Sequence, residues 1–172
     1  TLALLANGDL LSVMRTGVRA LPVGPSDTYD DLRYTQFKNG AYYTMGDQLS
    51  QPLYITRSTD GGKTWAKQKA MDGPRGVLPR LHTLSNGVVA LSYGRIARPS
   101  QGNRIIFSTD HGNTWVNETD IYPGMSSGYT AMVEIAPNKL LYFFDACTAD
   151  GPKIPDWVGV VEISVNNLRR SP

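Results

Sequence analysis

Residues 58–65 read "STDGGKTW" and residues 108–115 read "STDHGNTW". The two strings start 50 residues apart and agree at six of eight positions. Ser, Thr, Asp and Gly are residues that build turns, Asp by bonding local backbone N–H groups and Gly by accepting positive φ. Each string closes on a tryptophan, Trp65 or Trp115, a large apolar group that gains by folding back onto neighbouring structure. A turn of this composition, repeated once, sets a structural period before any strand is assigned.

Outward from the two strings, the same surroundings recur. An alternating strand leads into each, "LYITRS" at 53–58 and "RIIFS" at 104–108. A second pattern, an apolar residue, a small turn and an apolar strand, occurs three times. Its copies are "LLANGDLLSVM" (4–14), "HTLSNGVVALSY" (82–93) and "VEIAPNKLLYFF" (133–144). Asn-Gly in the first two and Pro-Asn in the third are turn pairs, so each copy reads as a β-hairpin. "WVGVVEISV" at 157–165 is a last strand with no Ser-Thr-Asp string after it. No stretch carries a helical period over ten or more residues, so the chain reads as all-β.

The repeating unit is therefore hairpin, strand, turn string, strand. Four antiparallel strands in roughly 40–50 residues is the size of a propeller blade. A β-sandwich also has many short strands, but does not place one motif at the same point of successive units. The units divide the chain at about 1–75, 76–124 and 125–172. Blades bury their faces only against neighbours, and rings have about four to eight of them. Three blades imply that further blades, from the same protein or a second chain, complete the ring. The opening "TLALL" reads as a segment that starts mid-protein.

Bulk composition is compatible with this. The 172 residues are 41% hydrophobic and 19% charged, which is globular rather than disordered. A net charge of +2 gives no ground for nucleic acid or a membrane surface as partner. Cys147 is the single cysteine and forms no internal disulfide. No apolar run approaches the roughly 18–20 residues of a membrane helix, and no secretory leader is visible.

S-x-D-x-G-x-T-W resembles the Asp-box, the bacterial neuraminidase repeat, and the chain is similar over nearly all its length to the C-terminal half of a sialidase-like β-propeller. The resemblance implies a six-bladed ring, with each box as the hairpin between the outer strands of its blade. It implies a structural box, far from the axis: Asp60 and Asp110 accept backbone N–H bonds, Gly62 and Gly112 take positive φ, and the tryptophans pack on the blade. A calcium role for a lone D-G-G-K turn lacks oxygen ligands. His111, at a variable box position, is expected to face solvent.

The resemblance also implies a chemistry. Sialidases remove a terminal sugar whose carboxylate sits on the anomeric carbon. Planar arginines suit that anion. A tyrosine activated by a glutamate suits the nucleophile, since an anionic one would face the carboxylate. Carried over, Arg15 in "LLSVMRTG" matches the second arginine of the family's triad, and Tyr129 in "SSGYTAMVEI" matches the nucleophile. Arg95 in "LSYGRIARPSQGNR" matches the third arginine, since it follows Gly87 by eight residues as Arg15 follows Gly8 by seven. Arg98 and Arg104, placed in the same loop, compete with it. The first arginine and the acid/base Asp belong to the family's N-terminal half, and the glutamate just upstream of Thr1, so this chain alone is expected to be inactive. Glu134 reads as a strand position.

No cofactor or metal is expected, and a secreted or periplasmic location suits a glycan substrate. "VMRTG", "PRL…LSNGV…SYGR" and "SGYT…VEI.P.KLL…D" resemble a bacterial branch whose substrate need not be sialic acid. A non-catalytic glycan-binding propeller and a polysaccharide lyase on the same fold are the alternatives. Residues 16–52 make a long loop after Arg15, which is expected to shape substrate choice; Asp27, Asp30 and Asp31 lie in it. His82 reads as a packed or edge histidine. Asn117-Glu118-Thr119 is a glycosylation sequon, meaningful only in a eukaryotic secretory host.

Overall fold

The computed structural model describes residues 1–15, 52–94, 102–124, 126–146, 157–166 and 168, and the backbone of three short strands within 21–44. All regular structure among these residues is β. Sheet 1 contains β1 (Leu2–Leu4), β2 (Leu10–Arg15), β6 (Pro52–Ser58) and β7 (Lys69–Arg75) in that spatial order. Sheet 2 contains β8 (Val77–Thr83), β9 (Val89–Gly94), β10 (Asn103–Ser108) and β11 (Val116–Tyr122), again in chain order. Sheet 3 contains β12 (Thr130–Ala136), β13 (Lys139–Ala146) and β14 (Trp157–Ser164). Every pairing in these sheets is antiparallel.

The segment expected to be one long loop after Arg15 carries structure of its own. β3 (Leu21–Pro22), β4 (Thr35–Lys38) and β5 (Ala41–Thr44) form a small antiparallel sheet with β5 in the middle. β4 and β5 pair from Thr35 with Thr44 to Lys38 with Ala41, in strands too short to announce themselves in the sequence. Asp27, Asp30 and Asp31 lie outside the described residues.

Strict alternation stacks the three main sheets. On β9, Val89, Leu91 and Tyr93 turn to sheet 1 while Ala90 turns to sheet 3; on β10, Ile106 faces sheet 1 while Ile105 and Phe107 face sheet 3. Sheet 2 is thus buried on both sides, and its two middle strands hold scarcely a solvent-exposed side chain. Leu11, Val13, Leu53 and Ile55 complete the first layer, and Leu140, Tyr142 and Phe144 the second. Each fully buried aliphatic side chain contributes about 1.5–3 kcal/mol.

The stack is a wedge. The first strands lie closest, β8 packing on β1 and β2 on one side and on β12 on the other. Toward the outer strands a cleft of about 390 Å³ opens between β7 and residues 112–115. Antiparallel sheets of three and four strands that converge on their first strands are stacked as propeller blades are.

The hairpins give the wedge two distinct ends. At the first turn, Leu5 N–H donates to the Asp9 carbonyl (2.8 Å); at the second, Leu84 N–H donates to Val88 in the same way (2.8 Å). The third turn bends at Asn138, with φ 64°. These turns touch around one end: Ser85 N–H (2.7 Å) and Oγ (2.9 Å) donate to the Glu134 carboxylate, and Asn86 Nδ2 to Asn138 Oδ1. The opposite end holds the starts of β1, β8 and β12 and the ends of β2, β9 and β13.

Candidate functional site

The repeated string is a set of hydrogen bonds whose central part recurs in both copies. In the first, Gly62 N–H donates to Ser58 Oγ (2.8 Å), and Ser58 Oγ donates to Asp60 Oδ1 (2.8 Å). Thr64 gives its N–H (2.9 Å to Oδ1) and hydroxyl (2.6 Å to Oδ2) to the same carboxylate. In the second, Gly112, Ser108, Asp110 and Thr114 repeat this pattern at 2.7, 2.8, 2.8 and 2.6 Å. Hydrogen bonds from the Thr64 hydroxyl, the Thr64 amide and Ser58 hold Asp60 down to a pKa of about 2. Burial alone would raise Asp110, but the donors Thr114, Ser108 and Asn113 outweigh it and lower its pKa. The turn's own donors occupy these carboxylates.

The two tryptophans differ. Trp115 packs against the core between sheets 1 and 2, whereas Trp65 is 41% exposed and donates Nε1–H to the Gly62 carbonyl (3.1 Å). His111 is half-buried rather than solvent-facing. Its backbone has φ 59°, and its carbonyl accepts Arg57 Nη2, because the second box packs on sheet 1.

Both boxes lie at the hairpin end. Ser58 pairs with Leu10, while Arg15 pairs with Leu53 at the other end of β2. Five residues of strand, about 17 Å, separate the two levels. Tyr129 immediately precedes β12, so it stands at the same end as Arg15, and both are exposed. By register Arg15 lies on the face of sheet 1 that meets sheet 2, and not on the outer strand β7. No hydrogen bond or ion pair joins Arg15 to Tyr129. Arg95 and Arg98 lie outside the described residues. Arg104 is in strand β10 rather than the preceding loop, where it is ion-paired with Glu118 (3.1 Å) and with Asp120 on β11. That double pairing spends its guanidinium within the outer part of sheet 2.

Tyr129 borders a hollow of about 200 Å³, with Ala131, Phe143 and Val158 among its walls. Behind it lies a polar cluster that the sequence did not reveal. Asp145, 6% exposed, accepts Ser126 Oγ (2.8 Å) and Tyr129 N–H (3.0 Å) on Oδ1, and Ser127 N–H (2.9 Å) and Ser127 Oγ on Oδ2. Asn103, fully buried on β10, donates Nδ2–H to Ser126 Oγ (2.9 Å), which also accepts Gly128 N–H (2.8 Å). Burial works to raise Asp145, but the donors from Ser127 and Ser126 prevail and its pKa lies below the ordinary value. Each partner is separately unremarkable in sequence, and strand pairing across 19 residues brings Ser126 and Asp145 together.

Two other tyrosine or glutamate groups are accounted for structurally. Tyr93 donates to Glu118, yet burial pushes its phenol well above the ordinary tyrosine range, opposite to what a nucleophile needs. Glu134 accepts Ser85 N–H and Oγ and Asn138 N–H (3.1 Å) at the hairpin end, the far end of β12 from Tyr129. His82 is a half-buried residue of β8.

No protein-family model matches the chain, and no curated protein matches it by sequence. Solved structures do match its fold. A protein of unknown function from Dyadobacter fermentans superposes with a TM-score of 0.54 at 16% identity, over 94% of this chain and 45% of that one. The Hadza microbial sialidase Hz136 superposes with a TM-score of 0.53 at 18% identity, over 92% of this chain and 29% of that one. The chain thus spans less than half the length of either neighbour. At these identities the likeness is one of fold, and one of the folds it resembles is that of a sialidase.

Proposed function

We propose that this chain is part of a sialidase-like exo-glycosidase that acts on terminal acidic sugars of glycans. The observation that carries the reading is the placement of Arg15 and Tyr129 at one end of the stack, opposite the boxes. The sialidase-like fold supports it. Arg15, joined by Arg95, binds the substrate carboxylate through paired N–H donors. The Tyr129 oxygen attacks the anomeric carbon, its phenol proton passing to a carboxylate on another blade, as the aglycone oxygen leaves with a proton from an acid there. Water then breaks the tyrosyl–sugar bond, with the same acid as base. A neutral phenol approaches a carboxylate-bearing carbon without the repulsion an aspartate would meet.

Further blades complete the ring. They cover Leu2 and Leu4, 55% and 63% exposed on sheet 1, and Val158 and Val160, 67% and 51% exposed on sheet 3. They also supply the catalytic acid and the carboxylate that activates Tyr129. The same arginines also suit a second reading, in which the propeller binds acidic glycans without cleaving them.

Arg15→Ala in the full-length protein tests the first. KM for an acidic glycoside rises by roughly 10- to 100-fold, the loss of a charge-assisted pair, while any neutral glycoside is handled as before. An equal loss on both substrates removes Arg15 from carboxylate recognition.

A further inference from the structure

We propose that Asp145 is the positioning residue of this site: it fixes the segment 126–129 and thereby the backbone that presents Tyr129. The inference rests on the catalytic reading of Tyr129. A nucleophile on a connection between two sheets needs its backbone held, because loops sample open states more readily than strands. Here the holding group is a single carboxylate at the end of β13. A carboxylate offers about four acceptor sites, and all are filled from the one segment: the Ser126 hydroxyl, both donors of Ser127 and the N–H of Tyr129. With its oxygens so occupied, Asp145 acts on the reaction through Tyr129 and not on the substrate.

The clamp is anchored on two sheets. Asn103 Nδ2–H reaches Ser126 Oγ from β10, and the Ser126 hydroxyl lies nearer to Asp145 Oδ1 (2.8 Å) than to Asn103 Oδ1 (3.2 Å). Asp145 N–H in turn donates to the Tyr129 carbonyl (3.3 Å). Tyr129 is therefore bonded through both its backbone groups to one residue. The packing allows no slack, since a Cβ on Gly94 would stand 2.9 Å from Gly128 Cα and against Asn103 Oδ1.

Asp145→Asn keeps the size and replaces one acceptor oxygen with a donor facing donors. Amide hydrogen exchange in the full-length protein should show Ser127 and Tyr129 exchanging about tenfold faster, with the Leu5 and Leu84 amides of the hairpin end unchanged. In the full-length protein kcat on an acidic glycoside should fall by roughly 10- to 100-fold with KM within about twofold, the signature of a misplaced reacting group. Ser127→Ala, which removes one donor only, should show smaller shifts of the same kind and serves if Asp145→Asn does not fold. Unchanged exchange at Ser127 and Tyr129 in the folded variant overturns the clamp, whatever happens to turnover. A rise in KM with kcat preserved also overturns it. If the wild-type protein cleaves no acidic glycoside, the functional reading falls, and the exchange experiment still decides whether Asp145 holds the segment.

Discussion

Gly112 shows what one residue does for the stack. Its φ of 82° suits glycine, and a Cβ there would stand 2.5 Å from Leu11 Cδ2 on the neighbouring sheet. Gly62, its counterpart, has φ 90° but meets Leu10 Cδ1 at a milder 3.2 Å. Alanine at either position pays about 1 kcal/mol for the backbone. At Gly112 overpacking adds roughly 1–3 kcal/mol. Thermal unfolding should therefore find Gly112→Ala clearly less stable than Gly62→Ala; equal losses would mean that the second box does not press on sheet 1. Serine and threonine in the strings proved as structural as the aspartate, a role signalled only by their identity in both copies.

The carboxylates of the boxes and of the clamp also set an acid limit. Asp60, Asp110 and Asp145 all have folded pKa values below their ordinary ones. The unfolded chain, with aspartates near about 3.9, then binds more protons than the folded chain as pH falls below that value. Their stabilising contribution is complete above that pH and is lost as pH falls through the folded values, to about 2 for Asp60. The melting temperature should hold from neutral pH to about pH 5 and decline below about pH 4. Asp110→Asn should flatten the decline; a decline of the same steepness in the variant would detach Asp110 from it.

Among the elements, the second and third hairpins have the greatest structural reach, since bonds between their turns tie sheet 2 to sheet 3. Glu134 is the clearest case: a residue of β12 that accepts from the turn between β8 and β9. Glu134→Gln with Ser85→Ala should show non-additive losses in a double-mutant cycle, with a coupling of about 0.5–3 kcal/mol. Strictly additive losses would mean that the clasp carries no stability. Turn pairs and alternation made the hairpins and the strands flanking each box readable from sequence, because both are local. The clasp is not local, and neither is the Asp145 cluster: each depends on which turns meet once the sheets stack. The small sheet inside residues 21–44 was missed because its strands are only two to four residues long.

For the whole molecule, one polarity organises the account. The boxes and hairpin turns consolidate one end of the wedge, and the exposed Arg15 and Tyr129 occupy the other. The family resemblance named Arg15, at the end of β2, and Tyr129, just before β12, and both stand at the end opposite the boxes, whereas Arg104, alike in residue type, is committed to Glu118 and Asp120. The most direct test of the catalytic claim is turnover of a fluorogenic sialoside, within a panel of acidic glycosides, by the full-length protein and its Tyr129→Phe variant. Removing the phenol oxygen should abolish cleavage of the glycoside that the wild type hydrolyses while the melting temperature stays within about 2 °C, as for a change at an exposed position. Cleavage by Tyr129→Phe at the wild-type rate would contradict the claim that Tyr129 is the nucleophile.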